Sequence, residues 1–264
     1  MLYPLVELID VVHDSIYGSV VVHRFSGEGR DIQTSKKTLN HEEIVVLDEL
    51  IQKYKLPDKK NKVLDIGANH GLYGRFWAKN NPDVFVDMYE PVESTFNIAK
   101  LNTAHLPNVN VYPFPIGIDQ KNIMFPIFEE KTFGYYGCVS FHPEQTAARN
   151  DTIAPIVGQY ELITKSLDAL YAEDNEFNFV LVKLDTEGTE SIILENSINF
   201  IKNKKPIIFM EHFNEQEWVT KHDRRGTPPT QWFIDFFESI NYKIVAGMGI
   251  NFFVIPKEME SPFS

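Results

Sequence analysis

Apolar positions along the chain change their rhythm at Lys62. Before it, residues 19–25 (SVVVHRF) read as a strand, and Gly27-Glu28-Gly29 predicts a turn behind it. Asn40, with Glu43 three places on, has the pattern of a capping box. Ile44, Leu47, Leu50, Ile51 and Tyr54 then fall at helical spacing, and Pro57 with the polar run to Lys62 ends that helix. From Lys62 onward short apolar runs alternate with helical patterns. Strands are predicted over 63–66, 84–89, 109–112, 179–184 and 206–210, and helices over 71–80, 94–104, 189–201 and 230–240. Residues 242–246 and 251–255 predict a terminal antiparallel hairpin around Gly247 and Gly249. Such alternation implies a mainly parallel sheet with helices on both faces. Residues 119–165 break the rhythm. A Phe-, Tyr-, Gly- and Pro-rich insertion of this length predicts a substrate cover in preference to a structureless loop.

Composition narrows the class. The 264 residues are 43% hydrophobic and 23% charged, an ordinary globular balance that excludes whole-chain disorder. The single Cys138 excludes an internal disulfide. A net charge of -12 argues against a nucleic-acid partner, which requires a basic footprint. Met1 to Asp14 carry no Lys or Arg, unlike a secretion signal, and no apolar run reaches the length of a membrane span. The expectation is a cytoplasmic enzyme or small-molecule binder. It is divided into a preamble (1–61) and one α/β domain (62–264).

Chemistry concentrates after the first strand of the alternating region, in Asp65-Ile66-Gly67-Ala68-Asn69-His70-Gly71. A strand that runs into a glycine-bearing turn and then a helix places a ligand outside the strand's carboxyl end. Gly67 and Gly71 are predicted to let that ligand approach the backbone. A dinucleotide fingerprint requires a glycine where Asn69 stands, and Asp65 suits a ligand carrying an amino group better than a pyrophosphate. Glu90, in Tyr89-Glu90-Pro91, is an acid at the next strand end and can take both ribose hydroxyls.

DIGANHG, then EP, then KLDTEGTE and a Pro-led strand ending in Glu211 resemble the FkbM family of S-adenosylmethionine-dependent methyltransferases, over roughly 62–212. The resemblance implies a class I methyltransferase (Rossmann-like) fold, a seven-stranded mostly parallel sheet with a C-terminal antiparallel hairpin. It implies methyl transfer to a hydroxyl of a sugar, glycan or related natural product. By the motif match Asp65, Gly67, Asn69, Gly71, Glu90 and Asn102 become cofactor-binding candidates.

Asp185, Glu211 and His212 stand at strand ends on the same rim and are the candidates to accept the hydroxyl proton, ranked Asp185, His212, Glu211. The same three carry atoms that Mg²⁺ or Mn²⁺ uses, but no tight spacing demands a metal. Trp218, Arg224 and Arg225 form a local aromatic and basic group suited to an acceptor such as a nucleotide- or lipid-linked sugar. No Asp/Asn-Pro-Pro-aromatic stretch follows the fourth strand, which favours oxygen over nitrogen as the methyl acceptor. Two alternatives stay open on the residues: an NAD-dependent oxidoreductase, and a non-catalytic module that binds the cofactor.

Overall fold

In the computed structural model, which describes residues 9–14, 18–24, 26–36, 40–128, 155–212, 228–248 and 251–261, the alternating pattern closes into one sheet. The preamble supplies β1 (Ile9–Asp14), β2 (Gly18–His23), α1 (Gly27–Ser35) and α2 (His41–Tyr54). The alternating region follows with β3 (Lys60–Ile66), α3 (Leu72–Asn80), β4 (Val84–Tyr89), α4 (Glu93–Thr103) and β5 (Val109–Tyr112). Next come β6 (Asn122–Phe128), β7 (Ile156–Ile163), α5 (Leu167–Tyr171), β8 (Phe177–Leu184), α6 (Glu190–Glu195), α7 (Ile198–Lys204) and β9 (Ile207–Glu211). The chain ends with α8 (Thr230–Ser239), β10 (Tyr242–Met248) and β11 (Asn251–Pro256).

Seven strands lie in the order β10-β11-β9-β8-β3-β4-β5. β9, β8, β3, β4 and β5 run parallel, while β11 is antiparallel to both β9 and β10. The C-terminal hairpin therefore belongs to the sheet, supplies two of its strands and makes it mixed. Alternate residues of the central strands feed opposite faces, as a two-residue period requires. Val63, Val86, Leu181 and Phe209 pack with Leu47, Trp77 and Ala99 from α2, α3 and α4. Leu64, Tyr89, Val182 and Ile208 pack with Tyr171, Leu194, Phe200 and Phe233 from α5 to α8. None of the described helices is long and apolar enough to cross a membrane.

Several local expectations need correction. Gly27 to Gly29 open α1 instead of turning. Ser26 Oγ accepts from Gly29 N at 3.0 Å and caps the helix, which outweighs the glycines' preference for a turn. The Asn40–Glu43 capping box does not form. Asn40 makes no side-chain cap bond, and Glu43 instead accepts from the Tyr73 hydroxyl and from Asn251 Nδ2. The predicted helix over 189–201 is two short helices, because the chain breaks at Asn196 and Ser197. The ends of the insertion pair as an antiparallel ribbon, β6 with β7. Its central part, 129–154, lies outside the described residues.

Candidate functional site

Strands β8, β3, β4 and β5 end on one rim, and a cleft of about 680 Å³ runs along it. From the β8 side its walls are Asp185, Thr186, Glu187 and Thr189, then Ile66, Gly67 and Asn69 after β3. Glu90 to Val92 after β4 and Pro115 and Ile116 beyond β5 continue it, with Phe125 of the ribbon.

Glu90 is buried at the middle of this cleft. One of its oxygens accepts from Asn69 N and the other from Val92 N, both at 2.9 Å. Burial pushes its carboxyl up to about 7, against those two amides, which favour the ionised form. Both oxygens keep lone pairs free for a pair of ligand hydroxyls. Asn69 adopts a left-handed backbone (φ 50°), and its Oδ1 is sealed from solvent without a hydrogen-bond partner. Such an orphaned acceptor beside Glu90 fits a ligand donor group.

The glycines answer to the protein more than to a ligand. Gly67 has φ 79°, and a Cβ there would stand 1.8 Å from the Asp185 carbonyl oxygen, where the ends of β3 and β8 press together. Gly71 (φ 76°) would meet Met88 and Ala99 between α3, β4 and α4. Gly67 does line the cleft, and Gly71 does not.

Asp65 is fully buried and is not part of the cleft wall; its carboxylate meets the Lys183 ammonium instead. Lys183 Nζ lies 3.2 Å from Asp65 Oδ1 and 3.2 Å from Asp185 Oδ2, donates to the Gly67 carbonyl, and sits 4.8 Å above the Tyr73 ring. Burial works against its charge, but the Asp185 and Asp65 carboxylates overcome that and hold the ammonium above its ordinary range. Asn102, expected near the cofactor, spends its amide on the preamble. It accepts from Val21 N at 2.7 Å and donates to the carbonyls of Val21 and His70, both at 2.8 Å.

The three proton-acceptor candidates part company. Asp185 lines the cleft with its side chain about one-third exposed. Glu211 lies close by: Asp185, Glu187 and Glu211 each present an oxygen within 4.8 Å of the others, donors of the type a hard divalent cation takes. Burial, then the Glu187 and Asp185 charges, drives the Glu211 carboxyl well above the usual carboxylate range. His212 is 1% exposed and packs between Phe233 and Phe252, with its Nε2 3.0 Å from Thr230 Oγ1. Burial lowers its pKa to about 4, and it does not reach the cleft. Glu190 shapes the acidic turn from behind. It accepts from Thr186 N and Oγ1 (2.7 and 2.9 Å) and from Gly188 N (3.0 Å), which holds Glu187 at φ 56°. Trp218, Arg224 and Arg225 lie outside the described residues.

A strand order with one antiparallel strand near its edge, a glycine turn after the central strand and an acid after its neighbour meet here on one rim. The Methyltransferase FkbM domain profile matches residues 65–243, more than half of the chain. The chain belongs to the FkbM family of S-adenosylmethionine-dependent methyltransferases. No curated protein matches it in sequence. Among solved structures, it resembles WbdD at 9% identity and a TM-score of 0.50, over 96% of this chain and 46% of that one. It also resembles an S-adenosylmethionine-dependent methyltransferase from Geobacter sulfurreducens, solved with S-adenosylhomocysteine (12% identity, TM-score 0.42, 78% and 65% covered). An O-methyltransferase family protein from Burkholderia thailandensis is similar too (12%, 0.45, 88% and 62%). The chain spans about half to two-thirds of the length of these proteins. At such identities the likeness concerns the fold. The oxidoreductase alternative has no place in this family.

Proposed function

We propose that this chain transfers a methyl group from S-adenosylmethionine to a hydroxyl of a sugar, glycan or related natural product. The observation that carries the proposal is the continuous cleft from Glu90 to Asp185. It joins an acid suited to ribose hydroxyls to a partly exposed carboxylate on the acceptor side. When bound, the cofactor supplies a methyl carbon activated by a sulfonium. The chain's own task is to hold the acceptor oxygen in line with that carbon and to accept its proton.

Asp185 takes the proton in this reading. It is the candidate that reaches the cleft, and Lys183 fixes its carboxylate from behind. Glu211, beside it, is held toward the neutral acid and so is not a base for the hydroxyl, and His212 acts through packing. Bound here, S-adenosylmethionine would supply the methyl group and would keep the electron pair of the bond it gives up, leaving as neutral-sulfur S-adenosylhomocysteine. The hydroxyl proton passes to Asp185, so charge balances without a further reactant. Glu90, with the Asn69 amide held on it, orients the cofactor side.

Radiolabelled methyl transfer, screened over sugar and natural-product alcohols, tests the reading. Asp185→Asn is expected to lower turnover by roughly 10²- to 10⁴-fold while S-adenosylhomocysteine binds nearly as before. Normal turnover would remove Asp185 from the role. A chain that binds S-adenosylhomocysteine yet methylates none of these alcohols would favour the non-catalytic module.

A further inference from the structure

The described ends of the insertion, the ribbon β6–β7, meet the cleft at its β5 end. Along the rim, Asp185 and Gly67 lie on one side of Glu90, and Pro115 and Ile116 lie on the other. With the methyl end toward Asp185, a nucleoside whose ribose sits on Glu90 directs its base toward Pro115 and Ile116, away from the acidic turn. Phe125 of β6 lines the cleft together with that pair and is almost fully buried, although it belongs to a ribbon outside the main sheet.

The ribbon is fastened at this end. Tyr160, paired with Phe125 across the ribbon and 5.6 Å from it ring to ring, donates its hydroxyl to the Pro91 carbonyl at 2.8 Å. Pro91 directly follows Glu90 and also lines the cleft. At the foot of the ribbon, Gly117 N donates to Lys165 O at 2.8 Å and Lys165 N to Pro115 O at 3.2 Å. A ring held between these fastenings is already in place when a ligand arrives, which lowers the ordering cost of binding.

We propose that Phe125 is a cofactor-binding residue, the aromatic wall for the adenine of S-adenosylmethionine, and that the Tyr160–Pro91 bond straps it in place. The inference rests on the cofactor assignment and on the methyl end facing Asp185, and not on which alcohol is the acceptor. It gives the insertion a part in cofactor recognition.

Isothermal titration with S-adenosylhomocysteine and with 5′-methylthioadenosine, which lacks the amino-acid tail, tests it. Phe125→Leu keeps most of the apolar volume and removes the aromatic face. It is expected to weaken both ligands by the same factor, at least about 5-fold given what base–aromatic contacts are worth. Tyr160→Phe keeps the ring and removes the strap hydroxyl, and is expected to weaken both by about 2- to 10-fold, the worth of one hydrogen bond. Wild-type affinity in a folded Phe125→Leu protein overturns the proposal, as does a loss confined to S-adenosylhomocysteine. If Phe125→Leu does not fold, Tyr160→Phe decides: equal weakening supports the strap and its wall, and unchanged binding overturns them. Failure of the unsubstituted chain to bind either compound would instead remove the cofactor assignment itself.

Discussion

Lys183 is the charge on which the site's geometry turns, and its removal has a calculable cost. Its side chain is 2% exposed, that of Asp65 is 0% exposed and that of Asp185 is 36% exposed. Solvent screens the Asp185 pair, so the stability at stake lies mainly with Asp65. Lys183→Met leaves the Asp65 carboxylate buried without a counter-charge, a loss of about 3–5 kcal/mol for broken buried pairs. At about 2–4 °C per kcal/mol for a chain of this size, Tm should fall by roughly 6–20 °C. Burial already raises the Asp65 carboxyl above its ordinary value, with Lys183 opposing it, so without the lysine the folded protein favours the neutral acid more strongly. A folded-state pKa above the unfolded value withdraws stability as pH rises through the window between them. The variant should therefore lie nearest the wild type at about pH 4 to 5 and furthest from it at pH 8. Adding Asp65→Asn to Lys183→Met removes the stranded charge and should recover most of the lost Tm. Thermal unfolding of both single variants and the double variant gives the coupling directly. A Lys183→Met protein as stable as the wild type, or a double variant no better than Lys183→Met alone, would refute the reasoning.

Glu90 predicts a pH dependence of binding. With its carboxyl near 7, the ionised form that accepts two ligand hydroxyls prevails only above that pH. S-adenosylhomocysteine affinity, followed by titration calorimetry, should rise between pH 6 and 8, and Glu90→Gln should flatten that rise. Asn102→Ala should lower Tm by removing three hydrogen bonds, about 2–3 kcal/mol in all. Its effect on S-adenosylhomocysteine affinity should be small, whereas a direct cofactor contact would show a large loss. Thermal unfolding with S-adenosylhomocysteine at 100 times its dissociation constant should gain about 2.7 kcal/mol. NAD at the same concentration should give no shift, and a shift with NAD alone would overturn the cofactor assignment.

The sheet was legible because its signals are local. Val84–Tyr89 and Val109–Tyr112 fall where their apolar runs predict strands, and the turns between strands and helices carry their own glycines and acids. What escaped was every feature decided by a distant segment. The capping pattern at Asn40 and Glu43 is sound chemistry, but Tyr73 and Asn251 offer Glu43 partners that local spacing cannot show. Gly67 was expected to make room for a ligand. The Asp185 carbonyl, more than a hundred residues along the chain, is what excludes a side chain there. Asp65 followed the same rule: an acid before a glycine turn suggests a cationic ligand, and the folded chain supplies the cation itself in Lys183. Lys183 and Asp185 are near neighbours along the chain, so their ion pair is a local one. Asp65 lies opposite Lys183 on β3, and that partnership exists only once the two parallel strands are in register. Phe125 had one local signal, its place with Ile123 and Ile127 on alternate positions of a short apolar run. The binding role inferred for it depends on that run returning to the rim beside Glu90, and chain topology alone brings it there.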